Sequence, residues 1–304
     1  MSREIKDDLL EETAYVPPVR KADWLLRVGV FIVALVVFLA IFGPYIGPYD
    51  PTRTTIRIAF PPPGLTEIPG LLFDWISGKL DYPPHWMGTD ANGYDIYSRV
   101  IAAPRTDLKI ALLANILSLI VGVFFGLLAG YWRNWGTEFL IRVSDVLQSF
   151  PVFIMAMVLV ALAGRSATNI IIALALVYTP IYLRLTRAEV LSQRSRGFVE
   201  AARAMGNSEL SIALRHVLPN SLTPALIQSS VTIGFAILLT AGLSFVGAGV
   251  RPPTPEWGLM ISTGANQIVL GEWWPSVFPG LAISLTVFGF AVLGNALERR
   301  YEKG

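Results

Sequence analysis

Val199–Asn220 reads VEAARAMGNSELSIALRHVLPN, and the arrangement of the whole chain follows from it. The stretch lies between two long apolar segments, yet Glu200, Arg203, Glu209, Arg215 and His216 keep it out of lipid. Phe198, Ala201, Ala202 and Met205 recur at helical spacing, and so do Leu210, Ala213, Leu214, Val217 and Leu218. Gly206 falls between the two runs, where a left-handed cap would end the first helix. Asn207 or Ser208 is placed to cap the second. The spacing predicts two short amphipathic helices joined at a glycine and displayed on one membrane face. So small a hairpin has no core of its own, so its apolar stripe needs a partner protein; packing on its own bundle is the other way to cover it.

Outward from the hairpin, the chain is 53% hydrophobic and only 15% charged, against roughly a quarter charged in soluble domains. Six segments are apolar enough to cross a bilayer, at about 24–46, 107–131, 138–163, 169–188, 222–247 and 276–298. Thr179-Pro180 should kink the fourth. Arg20, Lys21 and Arg27 before the first run resemble a signal peptide. The run continues to Ile46, however, and no small-residue cleavage site comes after it, so it reads as an uncleaved span. The organisation is then a tail (1–23), a first span (24–46), a loop (47–104), a five-helix core (105–298) carrying the hairpin loop (189–221), and a tail (299–304).

An even number of spans puts both termini on one side. With that side cytosolic, 16 of the 24 lysines and arginines lie inside and 8 outside, although the longest loop is an outer one. The same orientation places the hairpin in the cytosol. The outer loop is rich in proline, and LLFDWISGKL (71–80) within it is predicted to form a short helix at the lipid interface, with Trp75 at headgroup depth.

Glu200-Ala201-Ala202, Gly206 and Leu218-Pro219 together resemble the "EAA" loop of permease subunits in bacterial ABC importers. Met87-Gly88-Thr89-Asp90 with Gly93-Tyr94-Asp95 is similar to a loop of the peptide and nickel branch of that family. So is the third-span set Arg142, Asp145, Phe150 and Pro151. Leu243–Gly247, Pro252–Pro255 and Trp257-Gly258 are similar to that branch's fifth-span exit, and the likeness runs from about Trp86 to Leu297. Tyr94, Arg251 and Asn295 depart from it.

The resemblance is to the second permease subunit of the pair, and it implies an all-α polytopic membrane protein with six transmembrane helices and the type I ABC importer permease fold. It implies short peptides as substrate, with nickel, glutathione or another small solute as alternatives. Glu200, Ala201, Ala202, Arg203, Gly206, Leu218 and Pro219 would couple the chain to its motor. Implied partners are a second homologous permease subunit, two ABC ATPase subunits, an extracytoplasmic substrate-binding protein and the lipid bilayer. No cofactor would be bound by this chain, ATP and Mg belonging to the partner subunits. The implied location is the bacterial cytoplasmic membrane.

The residues themselves restrict the chemistry. A phosphate-cradling loop needs G-x-x-x-x-G-K-[ST], and the single Gly-Lys pair, Gly78-Lys79, is succeeded by Leu80. His85 and His216 begin no H-E-x-x-H, there is no G-x-S-x-G, and there is no cysteine. The chain reads as no enzyme, holds no evident metal site, and its net charge of +2 gives no nucleic-acid footprint. Asp90–Asp95 looks like the start of a calcium loop, but Ile101 occupies the twelfth position, so the segment reads as a capping turn.

Gly122, Gly126 and Gly130 form a small-residue stripe suited to close helix packing, within the subunit or against the partner. Arg142 and Asp145 are close enough on one helix to pair, as an interfacial ion pair or a gating element. Among the polar residues at membrane depth, Gln228 and Thr232 are assigned to the translocation path, with Asn115 and Ser118 as further candidates. A membrane scaffold without transport is the reading from a different class; it would not bring down ATPases on purification.

Overall fold

A computed structural model describes residues 22–55 and 60–301. The predicted N-terminal tail falls almost wholly outside these residues, as do Arg57 and the last three positions of the C-terminal tail.

The regular structure of the described residues is helical, with α1 (Ala22–Ile46), α2 (Ile68–Ile76), α3 (Ile96–Ala102), α4 (Pro104–Tyr131), α5 (Trp135–Ser149), α6 (Val152–Ala163), α7 (Ala167–Arg194), α8 (Gly197–Ala204), α9 (Glu209–Ile212), α10 (Leu218–Ser221), α11 (Thr223–Phe245), α12 (Trp257–Ala265) and α13 (Trp274–Tyr301). Five of these stretches are long and apolar enough to cross a membrane, and α5 with α6 makes a sixth if that bent pair counts as one span. Local sequence explains the boundaries. Asn134 and Thr137 form a reciprocal capping box at the start of α5, and Ser166 caps α7 through the Asn169 N–H.

The third predicted span is not one rod. α5 and α6 meet at 96°, because Pro151 lacks an N–H and forces Phe150 out of helical conformation (φ −87°, ψ 141°). Pro180, by contrast, is carried inside an uninterrupted α7, and Thr179 Oγ1 donates to the Ala175 carbonyl (2.7 Å). The short loop helix starts at Ile68 rather than 71, since Pro69 suits a first turn. It stops at Ile76, two residues before Gly78 turns left-handed (φ 73°).

The most extensive helix contact joins α4 to α7, and the glycine stripe makes it. A Cβ on Gly122 would lie 2.5 Å from Tyr182 Cβ, one on Gly126 2.7 Å from Thr186 Cβ, and one on Gly130 2.7 Å from Val190 Cγ1. The stripe therefore serves packing within the subunit.

At the end of the bundle opposite the hairpin, the Asp90–Asp95 segment is a turn that leads into α3 and caps it. Asp90 Oδ1 accepts from the Asn92 and Tyr94 N–H groups. Asp95 caps α3 through the Ser98 N–H and lies 2.8 Å from His85 Nδ1. Buried Arg99 stacks on Tyr94 and donates to the Pro51 and Pro253 carbonyls. Fully buried Glu256 caps α12 through the Gly258 and Leu259 N–H groups.

Candidate coupling and translocation site

The hairpin is built as its spacing predicts, with one face already occupied. α8 ends in a Schellman motif: the Gly206 N–H reaches the Arg203 carbonyl and the Asn207 N–H reaches the Ala202 carbonyl, with Gly206 left-handed at φ +83°. Ser208 then caps α9. From Glu209 the chain runs through a π turn (Ala213–Val217) and α10, and a bend at Leu222 leads it into α11. The π turn answers Pro219. That residue has no N–H to give, and its ring would crowd the carbonyl four residues back. The Leu218 N–H bonds instead to Ala213, five residues back.

Val199, Ala202, Ile212, Ala213 and Val217 are buried in a small core with Leu127 and Tyr131 of α4 and Val190 of α7. The bundle thus covers only part of the predicted stripe, Ala202, Ala213 and Val217, together with Val199 and Ile212, which the stripe did not include. A second face stays open. Phe198, Met205 (74% exposed), Leu210 (59%) and Leu214 are exposed, alongside Glu200, Ala201, Arg203 and Gly206. Of the predicted coupling residues, Ala202 points into the bundle core, Leu218 is half-buried and Pro219 is exposed.

The hairpin is also pinned by polar contacts that sequence reading missed. Arg203 Nε and Nη2 reach the two Glu209 carboxylate oxygens at 2.6 and 3.0 Å. The Tyr131 hydroxyl at the end of α4 donates to the same carboxylate, and Arg194 of α7 donates to the Tyr131 carbonyl (2.7 Å). Hydrogen bonds from Arg203 and then Tyr131 hold the Glu209 carboxyl down at about 2.

The polar residues at membrane depth separate into two groups. Gln228 and Thr232 line an open groove of about 570 Å³ with Phe153, Tyr178, Phe235 and Leu239. Gln228 Nε2 donates to Thr232 Oγ1 at 3.4 Å. Thr232 is only 2% exposed, so Gln228 supplies the polar surface. Asn115 and Ser118 do not line that groove. Both are buried: Asn115 Nδ2 donates to Ser229 Oγ (3.2 Å), the Tyr182 hydroxyl donates to Asn115 Oδ1, and Ser118 bonds the Asn115 carbonyl. They join α4, α7 and α11. The predicted Arg142–Asp145 pair is also replaced: Asp145 pairs with Arg184 of α7 at 3.1 Å, and Arg142 is exposed on α5.

The described residues thus form a helical bundle with a braced hairpin at one end and an open, mainly apolar groove in its wall. Residues 122–303 match the family described as binding-protein-dependent transport system inner membrane component, and residues 21–63 match the N-terminal TM domain of oligopeptide transport permease C. The chain belongs to that family and is a permease subunit of an ABC importer.

It is 36% identical over 270 residues to the di/tripeptide transport system permease protein DppC of Pseudomonas aeruginosa, covering 89% of this chain and 85% of that one. It is 34% identical over 273 residues to the glutathione transport system permease protein GsiD of Pectobacterium atrosepticum, covering 89% and 83%. The MetNI methionine ABC transporter shares its fold at a TM-score of 0.53 and 17% identity, covering 67% of this chain and 95% of that one. An amino acid ABC transporter shares it at 0.51 and 18%, covering 66% and 94%.

Proposed function

We propose that this subunit forms half of the translocation path of an ATP-driven importer for short peptides, delivered by an extracytoplasmic binding protein. Two separate ATPase subunits, which hold ATP and Mg, drive it, and a second homologous permease completes the path. Both termini and the hairpin face the cytosol. The observation that carries this reading is the hairpin's second face: Phe198, Met205, Leu210 and Leu214 are exposed next to Glu200 and Arg203, while the inner face is already filled. An apolar patch ringed by charge is a surface for another protein.

Force applied there has a direct route into the bundle, since the second rod runs into α11, and α11 carries Gln228 and Thr232. ATP binding would draw the hairpins together and switch the groove between inward-open and outward-open. The uncharged lining suits a path that passes varied peptides without holding them. The likeness to both di/tripeptide and glutathione permeases supports a small peptide or peptide-like cargo.

Affinity purification of the subunit from its host membrane should bring down two ATPases, a second permease and, on adding dipeptide, a loaded binding protein. Proteoliposomes of that complex should take up labelled dipeptide only with ATP. Purification of the chain without ATPases would favour a scaffold. Uptake of glutathione in preference to dipeptides would move the substrate assignment. Replacing Gln228 and Thr232 together with alanine should lower uptake several-fold in an assembled complex, and unchanged uptake would remove both from the path. A cysteine at Glu200, in a chain with none of its own, should be labelled only from the cytosolic side.

A further inference from the structure

The carboxylate of Glu209 receives three hydrogen bonds from two different parts of the chain. Arg203, across the Gly206 turn, supplies two of them. The third comes from Tyr131, the last residue of α4, 78 positions away in sequence. Tyr131 is held in turn by Arg194, whose guanidinium donates to its carbonyl and lies 5.6 Å from its ring centre. The Tyr131 ring itself is buried against the hairpin's inner face. Glu209 thus ties both rods of the hairpin to each other and to α4, and α4 is locked to α7 by the glycine stripe.

We infer that Tyr131, Glu209 and Arg203 form a clamp that makes the hairpin one rigid body with the α4/α7 pair, and that this clamp sets how completely hairpin movement is converted into transport. These are positioning residues, acting through the hairpin rather than on the cargo. Without the clamp, the hairpin is joined to the bundle by small apolar contacts and by its two chain connections, so a push can be absorbed by the turn. With it, the push reaches α4 and α7 as well as α11. Charge-assisted bonds hold geometry better than neutral ones. A Glu carboxyl is ionised near neutrality, and the hydrogen bonds from Arg203 and Tyr131 lower it further, so the clamp stays charged in a cytosol.

The inference rests on the importer reading, and its test separates the two. Tyr131→Phe removes one hydroxyl and keeps the buried ring. In proteoliposomes of the complete complex, ATP turnover with loaded binding protein should stay near wild type. Peptide carried per ATP should fall by about tenfold, the scale of one lost bond to a charged group. Arg203→Lys, which keeps the charge but not the paired geometry, should give a smaller loss.

Amide exchange across 199–220 should quicken in Tyr131→Phe, a readout independent of transport. Three results would overturn the clamp: uptake and ATP turnover falling in the same proportion, both unchanged, or failure of Tyr131→Phe to assemble, which would make the hydroxyl a folding element. Absence of ATP-driven uptake in the wild-type complex would instead sink the importer reading, with the exchange comparison still deciding the clamp.

Discussion

Gly206→Val should cut ATP-driven uptake by about tenfold or more, because a β-branched residue pays well over 1 kcal/mol to hold a left-handed backbone. Stimulation of the ATPases should fall with it, and capture of substrate by the binding protein should not change. The cause is conformation and not crowding. Gly206 sits at φ +83°, and a Cβ built there meets no atom within 4 Å. A bulkier side chain therefore has room but forces the backbone away from the turn. Opening the turn breaks the Gly206 and Asn207 bonds that close α8 and alters the angle between the rods.

Asparagine provides the control. Asn tolerates this region of backbone space, so Gly206→Asn should keep most of the transport that Gly206→Val loses. Equal activity in the two variants would show that the turn does not transmit force. Uptake and ATPase assays on the same proteoliposomes measure it.

Gly126→Leu should be the most damaging change for folding. At Gly126 the obstruction is steric: a Cβ would lie 2.7 Å from Thr186 Cβ and 2.8 Å from the Leu183 carbonyl oxygen. Backbone of that kind cannot turn aside, so α4 and α7 must separate. Even Gly126→Ala should cost about 1–3 kcal/mol through overpacking, and leucine more. Thermal unfolding in detergent should show a clear drop in Tm for alanine and little folded protein for leucine. Gly197→Ala, where a Cβ meets nothing within 4 Å, should leave Tm unchanged. An unaltered Tm in Gly126→Ala would mean that the two helices part easily, against the close packing of α4 on α7.

What sequence reading reached and what it missed divide along physical lines. The apolar stretches were legible because lipid imposes a length and forbids charge, and both can be counted along a chain. Gly206 was legible because a left-handed turn between two periodic runs restricts the residue type. The break at Phe150-Pro151 was visible as a proline but not as a corner, since hydropathy records composition and carries no direction. Asp145 was assigned the neighbour three residues away, because local spacing is what a sequence displays. Its partner, Arg184, is 39 positions off.

Asn115 and Gln228 looked alike as polar groups at membrane depth. Only the packing of α4, α7 and α11 separates one that fastens helices from one that faces open space. The Tyr131–Glu209 contact was hidden for the same reason. Neither residue belongs to a motif, and nothing in one announces the other.

The π turn at Ala213–Val217 has a bearing on phase. Each helical residue advances the azimuth by about 100°, and a π turn inserts one residue that an α-helix would not contain. The azimuth at which Leu210 faces out before the turn is thereby offset from that of Pro219 after it. Like the keying of a cam on its shaft, that single extra residue sets how the outward side of the hairpin is turned relative to its α10 end, where a bend at Leu222 hands the chain to α11.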